Sequence, residues 1–179
     1  MEQVFAPWRI DWVEREAEPD EATPECIFCA LPERDPEEAR IVARNGSAYV
    51  LLNNYPYNPG HAMVIPNRHG GEYGALPEET LLDHARLKAR TLEALEAALA
   101  PDGYNVGLNL GGDASGGSVD DHVHTHVVPR WEGDTNFMPI IADTKVIVEA
   151  LEDTYDRLHD AFCELEGARV GPEGAVLLG

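Results

Sequence analysis

Basic side chains are scarce in this sequence of 179 residues, where 13 lysines and arginines stand against 33 aspartates and glutamates. The formal net charge is −20, and Lys88 and Lys145 are the only lysines. A field of this sign repels nucleic acids and anionic membranes, so we expect neither as a partner. Because dense salt screens the self-repulsion of an acidic surface, we expect a halophilic source, with an ordinary acidic protein as the alternative.

Long apolar runs are also missing. No segment reaches the ~20 apolar residues of a membrane-spanning helix, and residues 1–12 lack the apolar stretch of a secretory signal. We therefore expect a cytoplasmic protein that forms one domain overall. Its expected parts are an N-terminal extension (1–25), a main domain (26–135) and a C-terminal helical extension with a tail (136–179).

The order of predicted elements indicates an α+β fold. Asn45-Gly46 separates two β-rich runs and predicts a hairpin. Apolar periodicity predicts one long helix over 77–100 and a C-terminal helix over 145–166. The pattern favours a mostly antiparallel five-stranded sheet packed against these helices. Its predicted strands are 41–43, 48–52, 61–65, 104–110 and 122–128, the last ended by Pro129.

Three of the seven histidines alternate in the run His122-Val123-His124-Thr125-His126. Alternate side chains of a strand share one face, so the run predicts a row of three imidazoles. We interpret the row as a functional site rather than a solvated surface, because clustered titratable residues are scarce outside sites. His84 and His159 lie on predicted helices without a partner pattern, and we expect them to be solvated or capping residues.

Two kinds of chemistry fit such a row. Imidazoles can hold a metal that activates water, or one imidazole can attack phosphorus while its neighbours stabilise charge. Same-face residues of a strand are roughly 6.5–7 Å apart, so three collinear rings converge poorly on one metal. The preceding glycine-rich segment, 111–118, favours phosphate, because its backbone N–H groups and the Ser118 hydroxyl can approach phosphate oxygens.

The run from His122 to Val128 resembles the motif of the histidine triad (HIT) family, H-φ-H-φ-H-φ-φ, with Thr125 departing from one apolar position. Asn58-Pro59-Gly60-His61 resembles the family's upstream segment, which carries a fourth histidine. The similarity extends from about Cys26 to Arg130. It looks most like the branch that contains diadenosine tetraphosphate phosphorylases, in three further segments: 5–9, 55–58 and 127–131.

The resemblance implies a HIT-like fold and a role for each motif residue. His124 would be the nucleophile that forms a nucleotidyl-histidine intermediate, flanked by His126 and His61, with His122 as the first member of the catalytic row. The family holds phosphate oxygens at the positions of Asn109, Gly117 and Ser118, and binds the nucleotide ribose near Asn53. One extra residue between Ser118 and His122 departs from many small members of the family.

A second site is indicated by Cys26 and Cys29, because three cysteines in an expected cytoplasmic chain do not suggest a disulfide framework. A CxxC pair there is typical of half a metal site, and a tetrahedral zinc needs two more ligands. His69 and His122 are the candidates, an arrangement that resembles a structural zinc in several family members. Two buried free thiols are the alternative. We expect no organic cofactor.

The leading hypothesis is therefore a nucleotidyl hydrolase or transferase that cleaves dinucleoside polyphosphates such as diadenosine tetraphosphate. The alternatives are a nucleoside phosphoramidate hydrolase of the same family, a metal-dependent hydrolase with the histidine row as ligands, and a nucleotide-binding regulatory protein without turnover. The expected partner is a small nucleotide. The resemblance also implies a homodimer in which two sheets merge.

Overall fold

The computed structural model describes residues 26–111, 119, 121–134 and 150–179. Its α-helices are α1 (Ile27–Ala30), α2 (Pro36–Ala39), α3 (Glu78–Leu99) and α4 (Leu151–Cys163), with 3₁₀ turns at Leu31–Glu33 and Tyr73–Ala75. Its strands are β1 (Ile41–Arg44), β2 (Ala48–Leu52), β3 (Ala62–Pro66), β4 (Gly103–Leu108), β5 (Thr125–Arg130), β6 (Arg169–Val170) and β7 (Val176–Leu177).

The strands form one sheet in the order β4-β5-β3-β2-β1-β7-β6. The pairs among β1 to β5 are antiparallel, but β7 runs parallel to β1, with Ala43 opposite Val176. The α+β prediction is confirmed, but the strand count of five is wrong: among the described residues the sheet has seven strands, and it is mixed because β1 and β7 are parallel. The two extra strands escaped prediction because each has two residues, too few to show alternation.

The predicted hairpin between β1 and β2 is confirmed. Asn45 forms the turn by accepting hydrogen bonds at its Oδ1 from the backbone N–H groups of Ser47 (3.2 Å) and Ala48 (2.9 Å). The Asn45 Nδ2 group also donates to the carbonyl of Asp83 at 2.8 Å, which ties the hairpin to α3.

Helix α3 begins and ends within one residue of its predicted bounds, but its buried face only partly matches the predicted apolar stripe. Its buried residues recur at helical spacing: Thr80, His84, Leu87, Thr91, Ala94 and Leu95. Leu82, which the apolar periodicity of the sequence placed on the buried side together with Leu81, Ala85, Leu92, Leu95 and Leu99, is 49% exposed. His84 is completely buried, so the expectation of a solvated or capping residue is wrong. Helices α3 and α4 pack together on one face of the sheet, where they cover Val64 and Val127.

Strand β5 is displaced from its prediction, since it begins at Thr125 and continues through Pro129 to Arg130. The β3–β5 pairing reaches only as far as Ala62 opposite Val127, so Pro129 has a strand neighbour on one side alone. A proline is tolerated there because no ladder hydrogen bond is required on the open side. His122 and His124 consequently precede β5, and His122 forms an isolated parallel bridge with Gly70.

Several predictions fall outside the described residues: the N-terminal extension, the greater part of the glycine-rich loop with Gly117 and Ser118, and the start of the C-terminal helix at Lys145. Over the described ranges, none of the helices is long and apolar enough to cross a bilayer.

Candidate active site and metal centre

His61 and His126 form a hydrogen-bonded pair at the centre of the site. The backbone N–H of Tyr57 donates to His61 Nδ1 at 3.1 Å, so that nitrogen carries no proton and Nε2 of the neutral ring does. His61 Nε2 lies 2.9 Å from His126 Nδ1, which must therefore accept. The proton of the His126 ring is then on Nε2. A chain of two hydrogen bonds thus makes His126 Nε2 a donor.

His124 has the opposite arrangement. Its Nδ1 lies 2.9 Å from the backbone carbonyl of His122, which can only accept, so Nδ1 carries the proton and Nε2 keeps its lone pair. The side chain is 6% exposed, and burial lowers its pKa below the ordinary histidine value. The ring is therefore neutral at pH 7. A neutral, oriented imidazole with an unprotonated Nε2 is the form in which histidine acts as a nucleophile.

His122 has a different set of partners from His124 and His126. Its Nε2–H donates to the carbonyl of Pro66 at 2.8 Å, so its Nδ1 lone pair points toward the CxxC segment. That Nδ1 lies 3.3 Å from Cys26 Sγ and 3.6 Å from Cys29 Sγ. The predicted division of roles within the row thus has a geometric basis for His122, which lies before the first residue of β5.

The four predicted metal ligands do come together. The ligand atoms of Cys26, Cys29, His69 and His122 all lie within 4.8 Å of one another. His69 Nδ1 is 3.5 Å from Cys29 Sγ. In a tetrahedral zinc site, Zn–S bonds of about 2.3 Å and Zn–N bonds of about 2.0–2.1 Å place neighbouring ligand atoms about 3.5–3.8 Å apart. The measured N–S distances fit this geometry, so the cluster could hold such an ion.

The electrostatics of the two thiols also favour a bound cation. Burial, together with the adjacent Cys26, raises the pKa of Cys29 to about 11, so the protein alone disfavours two thiolates at this place. A divalent cation would reverse that preference by stabilising both thiolates. The Pro66 carbonyl orients the His122 ring from the outside, as is usual for a histidine ligand.

Phe28 links the two sites and was missed at the sequence level. It lies between the two cysteines of the CxxC pair, and its buried ring is centred 5.0 Å from the His124 ring and 5.7 Å from the His122 ring. The Tyr49 hydroxyl holds this segment by donating to the Phe28 carbonyl at 2.7 Å. Its position between the two cysteines was the sequence feature that could have identified it as a site residue.

The loop before β3 holds Tyr57 and His61 in place. Gly60 has φ +75°, and a Cβ there would lie 2.3 Å from a methyl group of Leu99, so both the backbone and the space require glycine. Asn58 donates to the carbonyl of Pro129 at 2.9 Å and to Asp134 at 2.8 Å. Because Tyr57 binds His61 through its backbone N–H, no residue type in the sequence could have predicted this hydrogen bond.

Asp134 connects the loop before β3 to the end of β5. Its carboxylate accepts from Arg130 Nε at 2.5 Å and from Arg130 Nη2 at 2.8 Å. The bonds from Arg130, with smaller contributions from Trp131 and Asn58, lower the pKa of Asp134. This ion pair, which sequence reasoning also missed, joins the end of β5 to the loop that carries Tyr57.

The predicted nucleotide-binding residues are placed less completely. Asn53 is buried at the start of the same loop, where its Oδ1 accepts from the backbone N–H of Tyr55 at 2.8 Å. Asn109 is half-buried directly after β4. Gly117 and Ser118 lie outside the described residues. A nucleotide role for these four positions stays a prediction.

Comparison with known proteins agrees with this geometry. Residues 35–133, more than half of the chain, match the HIT domain family. An AP-4-A phosphorylase of Mycobacterium tuberculosis is 42% identical over an alignment of 161 residues, and the match covers 86% of this chain and 80% of the relative. An uncharacterized HIT-like protein of Methanocaldococcus jannaschii is 34% identical over 109 residues, 61% of this chain and 81% of the relative.

Solved structures give the same result. The crystal structure of a Zn-bound histidine triad family protein from Mycobacterium smegmatis superposes with a TM-score of 0.62 at 28% identity, over 78% of this chain and 94% of that one. A hypothetical histidine triad nucleotide-binding protein from Sulfolobus tokodaii gives 0.60 at 30% identity, over 78% and 90%. The matched domain and these relatives show that this chain belongs to the HIT family, and the arrangement of His61, His124 and His126 agrees with that assignment.

Proposed function

We propose that this chain is a nucleotide-processing enzyme that cleaves dinucleoside polyphosphates such as diadenosine tetraphosphate through a nucleotidyl intermediate on His124. The observation that carries the proposal is the hydrogen bond from His124 Nδ1 to the His122 carbonyl, which leaves the Nε2 lone pair for attack. The 42% identical relative named AP-4-A phosphorylase supports the substrate class.

The reaction takes place in two displacements. His124 Nε2 forms a bond to the α-phosphorus of one nucleotide, and the bond from that phosphorus to the bridging oxygen breaks, which releases a nucleoside polyphosphate. The acceptor then attacks the same phosphorus, and the Nε2–P bond breaks to return His124 to its neutral form. Neutral His126 donates its Nε2–H to an anionic phosphate oxygen and so stabilises the charge that develops.

The protonation of the His61–His126 pair favours inorganic phosphate over water as the acceptor. The two neutral rings hold one proton each, and His61 Nδ1 already accepts from Tyr57. His126 Nε2 is therefore a donor and cannot take a proton from an attacking water. Inorganic phosphate at pH 7 is an anion that attacks without a base, and a departing polyphosphate needs no proton to leave.

The test is to incubate the protein with diadenosine tetraphosphate, with and without inorganic phosphate, and to identify the products. ADP and ATP that form only with phosphate support the proposal, whereas AMP and ATP formed in water alone make the chain a hydrolase. Rapid denaturation at alkaline pH, where a P–N bond to histidine is stable, should trap an AMP adduct that is lost in His124→Ala and kept in the matched control His159→Ala, whose ring lies on α4. An adduct of full yield in His124→Ala contradicts the role of His124.

We also propose that the four-ligand cluster binds a structural zinc, held by Cys26, Cys29, His69 and His122. Such an ion would cross-link the CxxC segment to the residues before β5, and four protein ligands leave no position for a reacting water. His124 and His126 are not part of the cluster. This geometry disfavours the alternative in which the whole histidine row binds a catalytic metal. Metal analysis of the purified protein should find about one zinc per chain, lost in Cys26→Ser and kept in Cys163→Ser.

The homodimer expected from the resemblance has a surface that fits it. Strand β4 is one edge of the sheet, and Val106 on that strand is 45% exposed. Leu110, just beyond it, is 46% exposed. We propose that a second copy of this chain pairs along β4, because an apolar open edge is otherwise a site of aggregation. Light scattering should give twice the chain mass, and the monomer mass should appear in Val106→Lys.

A further inference from the structure

A completely buried histidine outside the triad approaches the strands that carry the site. His84 extends from α3 to the face of the sheet opposite the triad. Its Nε2 lies 3.0 Å from the Thr125 hydroxyl oxygen and 3.3 Å from the Val64 carbonyl. Because a carbonyl only accepts, Nε2 carries the proton and shares it between these two oxygens.

The two oxygens belong to a single pair of opposed residues. Val64 of β3 and Thr125 of β5 face each other, next to Met63 and His126. Thr125 is also the first residue of β5, directly after His124. The contact of His84 is therefore at the point where the chain leaves the sheet to present the nucleophile. Thr125 lies between His124 and His126 in the sequence, and His84 contacts it from the opposite face of the sheet.

His84 is an unfavourable residue for a purely structural role. Its Nδ1 is buried and has no hydrogen-bond partner among the described residues, which costs folding free energy that an apolar side chain would avoid. Burial and the nearby Lys88 lower the pKa of the ring, so it is neutral. Thr125, completely buried, occupies a position where the motif of this family has an apolar residue. A polar pair has thus been placed inside an apolar layer.

We propose that His84 is a positioning residue for the triad, which holds β3 and the start of β5 in register through Thr125 and Val64. Strand β3 follows His61 and ends at Pro66, which orients His122, while β5 carries His126. A shift between the two strands would lengthen the 2.9 Å contact from His61 Nε2 to His126 Nδ1 and turn His124. His84 acts through these residues and does not touch the reacting atoms.

The kinetic test, which rests on the proposed function, compares four variants. His84→Leu removes the hydrogen bonds, His84→Gln keeps a donor at the same distance along the side chain, and Thr125→Val removes the partner hydroxyl. Thr91→Val is the matched control, since Thr91 is buried on the same helix but donates within it, to the Leu87 carbonyl at 2.8 Å. We expect kcat to fall about tenfold or more in His84→Leu with KM within about twofold, because small displacements of reacting groups slow chemistry strongly.

In Thr125→Val we expect a similar fall, and His84→Gln and Thr91→Val should stay within about threefold of the parent protein. A kcat in His84→Leu equal to that of the parent protein overturns the proposal, as does a loss in His84→Gln as large as in His84→Leu. If His84→Leu does not fold, Thr125→Val decides in its place, and an unchanged kcat there overturns the proposal.

A second readout needs no turnover. Nitrogen NMR of the histidine rings should show Nε2 protonated in both His61 and His126, and these signals should move in Thr125→Val but not in Thr91→Val. Signals that stay in place in Thr125→Val overturn the positioning role. If the parent protein cleaves no dinucleotide, the proposed function fails, and the NMR comparison still decides whether His84 positions the triad.

Discussion

Replacing His122 and His124 separately should have opposite consequences, although they stand two residues apart in one motif. His122 is 1% exposed, and its ring donates to the Pro66 carbonyl at 2.8 Å. His122→Ala leaves that buried acceptor unpaired, which costs about 1–3 kcal/mol, and the lost packing of the ring adds a cost of the same order. For the metal-free chain we expect a total near 3 kcal/mol, and the loss of a ligand adds to this cost where a metal is bound.

In a chain of this size, about 3 kcal/mol lowers the melting temperature by roughly 6–12 °C. Turnover should fall much less, within about tenfold, because His124 Nδ1 donates to the backbone carbonyl of His122, which alanine retains. His124→Ala should lower kcat by about 10⁴-fold or more, since the nucleophile itself is lost. The change in stability should be small by comparison.

The assay is thermal unfolding followed by circular dichroism, in parallel with kcat on diadenosine tetraphosphate at a temperature where every variant is folded. His159→Ala is the control for the loss of an imidazole far from the site, and it should keep kcat. The reasoning is refuted if His122→Ala melts with the parent protein, or if folded His122→Ala loses as much activity as His124→Ala.

Three further predictions concern metal, pH and salt. A strong chelator should lower the melting temperature and expose the thiols of Cys26 and Cys29 to a thiol reagent, and added zinc should reverse both effects; unchanged thiol reactivity would contradict the metal site. The pKa values of His84, His122 and His124 are lowered, so the unfolded chain binds more protons and stability should fall as pH drops through about 6.5; denaturant titrations at pH 5 and 7 measure this, and greater stability at pH 5 would count against it. With a net charge of −20, the melting temperature should rise between low and molar potassium chloride, and a flat profile would contradict a destabilising self-repulsion.

The metal-ligand cluster was predicted from sequence because its chemistry is visible in residue types. Two cysteines separated by two residues need two more ligands, and the resemblance to other family members pointed to His69 and His122. The structure brings His69 and His122 to these cysteines, and the parallel bridge between Gly70 and His122 explains how. That bridge joins residues far apart in the chain, so the sequence could nominate the ligands but could not show what holds them together.

The errors have a common physical origin in contacts between distant segments. Pro129 suggested the end of a strand, yet it is accommodated because β3 stops short of it. His84 suggested a solvated helix residue, yet a hydroxyl and a carbonyl from the sheet make its burial tolerable. In both cases the residue type gave its average preference, and partners at least 20 positions away in the chain decided the outcome.

The three histidines of the motif owe their different chemistry to the partner of one ring nitrogen each. A carbonyl at Nε2 of His122 leaves Nδ1 as a potential metal ligand, and a carbonyl at Nδ1 of His124 leaves Nε2 as a nucleophile. An imidazole N–H at Nδ1 of His126 makes its Nε2 a donor. Because His122 contributes its ring to the cluster and its carbonyl to His124, a bound metal would also fix the backbone oxygen that orients the nucleophile. Metal removal should therefore shift that oxygen and disturb His124, although His124 lies outside the cluster, and it should lower kcat by no more than the roughly tenfold limit expected for His122→Ala.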